Sequence, residues 1–172
     1  MIIVTGGAGF IGSNLINALI KKKHDVVLCD YPELVKKNYF SNYTQIRKIV
    51  KPDNLFNFIS DNSNINLVYH LGAISSTTHK NPNKQWIDNL LFSNKLWRIC
   101  YEQNIRLVYA SSAATYGNGD VGFEDDEDLS FLTKLKALNV YGWTKNEVDI
   151  RNIYLKKTFG LFPPQWVALK FF

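Results

Sequence analysis

A cluster of glycines near the amino terminus constrains the fold of this chain more than any other feature. Gly6, Gly9 and Gly12 follow directly on the β-branched run 2–4. Apolar residues then recur at helical spacing at Ile11, Leu15, Ala18 and Leu19. The pattern predicts a short buried strand, a tight turn and a helix.

The spacing of these glycines has a mechanical reason. Gly6 permits the tight turn, Gly9 lets the backbone approach a pyrophosphate, and Gly12 lets the helix pack closely on the strand. Free N–H groups at the start of the helix then bind the anion. A purely structural turn is the alternative interpretation.

A second apolar run, 26–30, completes a βαβ unit in roughly 30 residues and ends at Asp30. An acid at that distance binds the adenosine ribose of a dinucleotide and favours NAD by accepting a hydrogen bond from the 2′-hydroxyl group. Lys36 and Lys37 follow a few residues later and offer positive charge to the 2′-phosphate of NADP. The residues leave the choice between NAD and NADP open.

Short apolar runs and longer amphipathic segments alternate along the rest of the chain. From 31 to 60 the pattern is irregular, apart from a short helix that opens at Pro52 and buries Leu55, Phe56 and Ile59. This alternation predicts one domain over residues 1–172, an α/β doubly wound parallel sheet of the Rossmann type. Further strands are predicted at 65–71, 106–110 and 166–172, and helices at 85–101 and 139–157.

Charge and composition exclude several classes of function. Lys plus Arg number 20 and Asp plus Glu 15, a net charge of +5 spread over the chain, so no nucleic-acid surface is predicted. The densest basic run, 21–23, lies where the first helix ends and opposes the helix dipole there. The acidic run 124–128 shows no metal-ligand spacing and is predicted to be a solvated turn.

The same reasoning predicts a cytoplasmic protein with no membrane segment. No signal peptide follows Met1, and no apolar run approaches the length that spans a bilayer. Cys29 and Cys100 lie inside apolar runs, so both are expected to be reduced thiols of the core.

Three residue types that carry proton-transfer chemistry stand in a suggestive order. Ser112 lies at the carboxyl end of a predicted strand, and Tyr141 and Lys145 are four residues apart on one face of a predicted helix. A phenol is a poor base at neutral pH, but a nearby ammonium group and a positively charged nicotinamide ring favour the phenolate. Tyr141 would then take the proton of a sugar hydroxyl, while Ser112 hydrogen-bonds the same oxygen and Lys145 also holds the ribose. A helix with an exposed Tyr and Lys of no special role is the alternative.

These features together resemble the extended short-chain dehydrogenase/reductases, the NAD-dependent epimerase/dehydratase family, over essentially the whole chain. Within that group the sequence most resembles the ADP-glyceromanno-heptose 6-epimerases. The resemblance implies a nucleotide-sugar epimerase that interconverts ADP-D-glycero- and ADP-L-glycero-β-D-manno-heptose at C6 by transient oxidation through bound NADP. It rests on the segments 5–12 (TGGAGFIG), 70–73 (HLGA), 73–78 (AISSTT), 110–117 (ASSAATYG), 138–142 (LNVYG) and 141–145 (YGWTK).

The resemblance also implies which residues contact the cofactor. Phe10 and Ile11 line the pyrophosphate, Asp30 and Tyr31 meet the adenosine, and Lys37 reaches the 2′-phosphate. The chain departs from the heptose epimerases in having Leu71 where they have Glu, and Tyr31 where they have a small residue. The residues that the resemblance implies to lie beside the cofactor are Leu71, Gly72, Ala73, Ile74, Ser75 and Asn89.

Some parts of the family pattern are missing. Ala113 and Ala114 replace the Asp-Glu pair with which sugar-nucleotide dehydratases remove water, so dehydration is not expected. The family's second base, a lysine after the sixth strand, has no counterpart, because the sequence stops at Phe172 inside an apolar strand. We therefore expect a truncated protein that lacks its substrate-binding domain.

The resemblance further implies a homo-oligomer, paired through the helix that carries Tyr141 and the helix at 85–101. A UDP-hexose 4-epimerase and a non-catalytic dinucleotide-binding module remain the alternative functions.

Overall fold

The computed structural model of the chain describes residues 1–37 and 45–172, except for the side chains of residues 36 and 37. Its centre is a six-stranded sheet, parallel throughout, in the order β3-β2-β1-β4-β5-β6. This is the strand order of a Rossmann sheet, so the predicted fold class is confirmed. The strands are β1 (Ile2–Thr5), β2 (Val26–Cys29), β3 (Lys48–Val50), β4 (Leu67–His70), β5 (Arg106–Ser112) and β6 (Trp166–Phe171).

Helices cover both faces of this sheet. No helix among the described residues combines the length and apolar character needed to cross a bilayer. The helices are α1 (Phe10–Lys21), α2 (Pro32–Lys37), α3 (Leu55–Ser60), α4 (Pro82–Gln85), α5 (Phe92–Glu102), α6 (Leu129–Leu132) and α7 (Val140–Phe159). One 3₁₀ turn, Pro52–Asn54, precedes α3, and another, Ala113–Tyr116, follows β5. A π-helical turn at Trp86–Leu91 joins α4 to α5.

The apolar core forms a layer on each face of the sheet. On one face α1 and α2 pack against β1 and β2, with Ile16 and Val35 fully buried between them. On the other face α3, α5 and α7 pack against the strands around Leu55, Trp97 and Val148. Strand residues alternate between the two layers because successive side chains point to opposite faces.

Three sequence expectations were wrong in detail. The region 31–60 is more regular than predicted, since it contains α2 and β3. Strand β3 has only three residues, of which Val50 alone is buried, so it gives almost no apolar signal.

The helix predicted at 85–101 is interrupted by the π-helical turn, and Trp86 is 37% exposed rather than buried. In α1 the face that packs on the sheet is Gly12, Ile16, Leu19 and Ile20. Ile11 and Ala18 are exposed and Leu15 is half-buried. The helical period was therefore correct, but the buried face of α1 was misplaced.

The acidic run 124–128 is exposed, as expected, but it also has structural partners. The Asp128 carboxylate accepts a hydrogen bond from the backbone N–H of Ser130 at 3.1 Å and so caps α6. Lys156 of α7 pairs with Glu127 at 2.7 Å.

Candidate functional site

The glycine turn lies where the order of strands reverses direction, between β1 and β4. Gly6 has a φ of +65°, and a β-carbon built there would lie 2.6 Å from the backbone nitrogen of Gly72. At Gly12 a β-carbon would lie 2.2 Å from the Gly6 carbonyl oxygen. Side chains are thus excluded where the two strand ends meet, and this is where parallel α/β sheets bind their ligands.

The start of α1 has the geometry of an anion site. Its N-cap residue is Gly9, and no side chain caps the helix. Phe10 and Ile11, in the first turn, are 87% and 44% exposed. A pyrophosphate fits this cradle because the first-turn N–H groups carry the positive end of the helix dipole.

Asp30 lines the same cleft and also holds the glycine turn. Its carboxylate accepts hydrogen bonds from the backbone N–H groups of Ala8 at 2.9 Å and Tyr31 at 2.8 Å. The side chain is 9% exposed. Asp30 therefore fixes the loop geometry in addition to lining the cleft.

A cleft of about 580 Å³ opens over the carboxyl ends of β1, β2 and β4. Of the predicted cofactor residues it is lined by Gly6, Asp30, Tyr31, Gly72, Ala73 and Ile74. Its other walls were not predicted from the sequence. They include Leu34, Pro52, Asp53, Phe56, Ile87, Asp88, Leu91, Phe92 and Lys95.

Asp53 shows why some of these lining residues were not predicted. It lies in the 3₁₀ turn directly after β3, so its position at a strand's carboxyl end was hidden while β3 itself went unrecognised. The signal that could have identified Asp53 is an acidic residue shortly after the third strand of a βαβαβ unit.

The cleft lining does not include Ser112, Tyr141 or Lys145, which lie at the end of β5 and in the first two turns of α7. Helix α7 begins at an Asn139 cap, whose side chain accepts from the N–H of Gly142 at 2.9 Å. A β-carbon at Gly142 would lie 2.5 Å from the carbonyl oxygen of Ala114. The first turn of α7 is therefore pressed against the turn that follows Ser112.

Lys145 points from α7 to the end of β5. Its Nζ donates a hydrogen bond to the carbonyl oxygen of Ala110 at 2.7 Å, two residues before Ser112. Burial lowers the pKa of Lys145 to about 8, and the nearby Asp149 carboxylate opposes that shift. The Ser112 hydroxyl oxygen accepts from the Ala114 N–H at 3.1 Å.

Asn89 connects α7 to the cleft. Its side chain exchanges two hydrogen bonds with the backbone of Ile74, at 2.8 and 3.1 Å, and donates to Thr144 Oγ1 at 3.3 Å. Thr144 in turn donates to the carbonyl oxygen of Tyr141 at 2.8 Å. Asn89 is fully buried and lies in the π-helical turn, which places it there.

A chain of buried hydroxyl and imidazole groups continues this connection to β1, and sequence reasoning missed it. His70 Nδ1 lies 2.7 Å from Thr5 Oγ1, and His70 Nε2 lies 2.8 Å from Ser93 Oγ. The Ser93 hydroxyl donates to the Asn89 carbonyl oxygen, so Nε2 carries the proton and Nδ1 accepts from Thr5. Burial lowers the pKa of His70 to about 3, aided by the Lys145 charge, so its ring is neutral.

Some predicted residues are placed differently or not described. Besides Lys145, the predicted cofactor residues that do not line the cleft are Gly9, Phe10, Ile11, Gly12, Leu71, Ser75 and Asn89. The side chain of Lys37 lies outside what the structure describes, so its assignment to a 2′-phosphate stays a prediction.

The fold and these residues define a class: a dinucleotide-binding domain with the Ser, Tyr and Lys arrangement of a short-chain dehydrogenase/reductase. The chain belongs to the NAD dependent epimerase/dehydratase family, whose sequence profile matches residues 2–164.

Relatives and solved structures support this placement. The chain is 38% identical over 180 aligned positions to the ADP-L-glycero-D-manno-heptose-6-epimerase of Fusobacterium nucleatum, an alignment that covers 100% of this chain and 52% of the relative. It is 35% identical to the protein of the same name from Brachyspira hyodysenteriae, covering 100% and 54%. The structure of MoeE5 in complex with UDP-glucuronic acid and NAD superimposes with a TM-score of 0.77 at 29% identity, covering 99% of this chain and 54% of that one. The chain thus spans about half the length of the curated relatives it matches.

Proposed function

We propose that this chain is the cofactor-binding and catalytic half of a nucleotide-sugar epimerase that interconverts the two C6 epimers of ADP-glycero-manno-heptose. The observation that supports the proposal is the packing of the first turns of α7, which carries Tyr141 and Lys145, against the end of β5, which carries Ser112. The names of the relatives supply the choice of sugar.

The proposed chemistry assigns one task to each residue. Tyr141 accepts the proton of the sugar hydroxyl, and Ser112 hydrogen-bonds the same oxygen. With a pKa of about 8, Lys145 is mostly protonated at neutral pH, so it carries a positive charge one helical turn from Tyr141. A nicotinamide cofactor held in the cleft would supply reversible hydride transfer at the same carbon, with no net oxidation of the sugar.

The charge around the adenosine end of the cleft bears on the choice of cofactor. Asp30, Asp53 and Asp88 all line the cleft, and carboxylates there repel a 2′-phosphate and favour NAD. The NADP interpretation rests on Lys37. The dissociation constants of NADH and NADPH, measured by the fluorescence of these reduced cofactors in the wild-type chain and in Lys37→Ala, distinguish the two cofactors. Weakened NADPH binding with unchanged NADH binding would assign Lys37 to the 2′-phosphate.

Replacing Tyr141 by Phe tests the proposed activity. In the full-length protein, we expect Tyr141→Phe to lower turnover of ADP-heptose by a factor of about 10² to 10⁴, because the proton acceptor is lost. Cofactor binding should be retained, which separates lost chemistry from a lost site. Turnover is measured by chromatographic separation of the two epimers.

Two outcomes would contradict the proposal. Unchanged turnover in Tyr141→Phe would reduce the site to a dinucleotide-binding module. Steady accumulation of reduced cofactor by the wild-type protein would make it a dehydrogenase.

We also propose that residues 1–172 form one cofactor domain, and that the sugar is held mainly by the part of the relatives that this chain does not cover. We therefore expect the chain of residues 1–172 to bind NAD(P)H by itself. Tight binding of an ADP-sugar by the isolated chain would argue against it.

The proposed homo-oligomer pairs through the outer faces of the helical segment 85–101 and of α7. The rings of Trp86 and Trp143 stack with centroids 5.1 Å apart and are 37% and 39% exposed. Tyr101 and Tyr154 are exposed on the same two helical segments. We expect light scattering to give a dimer mass for the wild-type chain and a monomer mass for Trp143→Glu, with Glu147→Gln on α7 as the control.

A reducing, cytoplasmic compartment is proposed on the chemistry of the two thiols. Cys29 and Cys100 are free and buried, and burial raises the pKa of each to about 12.

A further inference from the structure

A buried charge cluster lies next to Ser112 and Lys145, and the proposed mechanism does not use it. Its centre is Asp149, one helical turn after Lys145 in α7 and only 4% exposed. A carboxylate buried to that extent costs several kcal/mol unless its oxygens are paired. The partners of Asp149 therefore indicate what it holds in place.

Both carboxylate oxygens of Asp149 accept hydrogen bonds from the strands. Oδ1 accepts from the Tyr109 hydroxyl at 2.9 Å, and Oδ2 accepts from the Ser111 hydroxyl at 2.6 Å. Lys170 Nζ donates to the same Oδ2 at 3.0 Å. Since Lys170 is also the register partner of Ser111 across β5 and β6, Asp149 ties α7 to both strands.

The cluster also reaches Ser112 from its other side. Lys170 Nζ donates to Thr115 Oγ1 at 2.8 Å, and Thr115 Oγ1 donates to the carbonyl oxygen of Ser112 at 2.8 Å. Lys145 holds the carbonyl oxygen of Ala110. Each of the three consecutive residues 110 to 112 is thus held by a hydrogen bond to a buried or half-buried side chain, namely Lys145, Asp149 and Thr115.

The charges in this set are unequal, because two lysines share one carboxylate. Lys145 is fully buried, and the Asp149 carboxylate is the charge that favours its protonated form. Burial, and after it the charge of Lys145, lower the pKa of His70 on β4, so that ring is neutral. Lys170 competes with Lys145 for the field of Asp149, since it pairs directly with Oδ2.

We propose that Asp149 is a positioning residue: through Ser111 and Lys170 it fixes the end of β5 that carries Ser112, and its carboxylate lies one helical turn from Lys145, where it acts on the ammonium group in competition with Lys170. The consequence for catalysis rests on the proposed function of Lys145. The effect of Asp149 on the charge of Lys145 is independent of that proposed function.

The test follows the titration of Lys145 by NMR of the lysine side chains in the chain of residues 1–172. Asp149→Asn is expected to lower the midpoint of the Lys145 titration by about one pH unit or more, because an opposite charge nearby is removed. Lys170→Met is expected to raise it, because Asp149 then acts on Lys145 alone. Glu127→Gln, which removes an exposed carboxylate paired with the same helix, should leave it unchanged.

The opposite signs distinguish this role from a merely structural one. If Asp149 only supported packing, its replacement would loosen the site, hydrate Lys145 and raise the midpoint toward that of an ordinary lysine. An unchanged or raised midpoint in Asp149→Asn, or a lowered one in Lys170→Met, would overturn the proposal.

A double variant keeps the test decisive if Asp149→Asn alone does not fold. Asp149→Asn with Lys170→Met replaces the ion pair by neutral groups, a change that folded proteins often tolerate. Its Lys145 midpoint is again expected below that of the wild type. Because the readout needs neither substrate nor turnover, its result is independent of the epimerase assignment.

Discussion

At the scale of single residues, the glycines of the first turn have different tasks that substitution can separate. At Gly12 a new β-carbon would lie 2.2 Å from the Gly6 carbonyl oxygen and 2.8 Å from Gly7 Cα, so the backbone must move. At Gly9 the nearest contact would be 3.2 Å, which requires only a small adjustment.

We therefore expect Gly12→Ala to destabilise the fold by about 1–3 kcal/mol, the cost of overpacking a close contact. Gly9→Ala should leave the free energy of unfolding within about 1 kcal/mol of the wild type but weaken cofactor binding, because the backbone no longer approaches the pyrophosphate. Urea denaturation and NADH titration measure the two quantities. Equal loss of stability in both variants would contradict this division.

A second residue-scale prediction concerns His70. Its pKa is lowered to about 3 by burial, while in the unfolded chain it titrates near 6.5. Between these values the unfolded state binds the extra proton, so stability is fully present above about pH 6.5 and is lost as the pH falls. We expect His70 to contribute a loss of about 2 kcal/mol at pH 5, from 1.4 kcal/mol per pH unit.

Urea denaturation of the wild-type chain and of His70→Gln from pH 7 to 5 measures this contribution. The variant should be less stable at pH 7 but lose less stability on acidification. Parallel curves for the two proteins would mean that His70 is not the group responsible.

At the scale of elements, the π-helical turn and α7 are held in register by a side-chain connection. Thr144 is fully buried, accepts from Asn89 and donates to the carbonyl oxygen of Tyr141. Thr144→Val keeps the shape but removes both hydrogen bonds of the hydroxyl group, and we expect it to lower the free energy of unfolding by about 1–3 kcal/mol.

Thr144→Ser, which keeps the hydroxyl group, is the matched control. It should retain cofactor affinity, whereas Thr144→Val should weaken it through the displaced Ile74 backbone. Both are measured by urea denaturation and NADH titration, and equal behaviour of the two variants would show that the hydroxyl group is not the connection.

At the scale of the whole molecule, the two cysteines report on global opening. Cys29 lies in β2 on the core side and Cys100 in α5, and burial raises the pKa of both to about 12. We expect both thiols to react with a disulfide reagent only at the rate of unfolding, because neither is exposed as a thiolate in the folded chain.

Saturating NAD should slow that reaction about 100-fold at a concentration 100 times the dissociation constant, since the bound cofactor stabilises the folded state by about 2.7 kcal/mol. Absorbance of the released thiol measures the rate. Fast reaction of either cysteine in the native chain would indicate local opening around that residue.

The parts of the fold that could be predicted are those with a local signal. The βαβ unit was recognisable from a strand, three glycines and a helical period, and β4, β5 and β6 from their apolar runs. Strand β3 was not, because three residues with one buried side chain carry no period. The π-helical turn was missed for a related reason: apolar spacing through 85–101 fits an uninterrupted helix equally well.

The sequence alone determined the doubly wound fold class and placed Tyr141 and Lys145 on one face of a helix. Residues four apart on a helix lie on the same face whatever surrounds them. Only the tertiary structure decided which buried polar groups meet. Thr5 and His70 are 65 residues apart, and Ser111 and Asp149 are 38 apart. Apolar periodicity shows which face of an element is buried, but a polar side chain on that face finds its partner only when the elements pack.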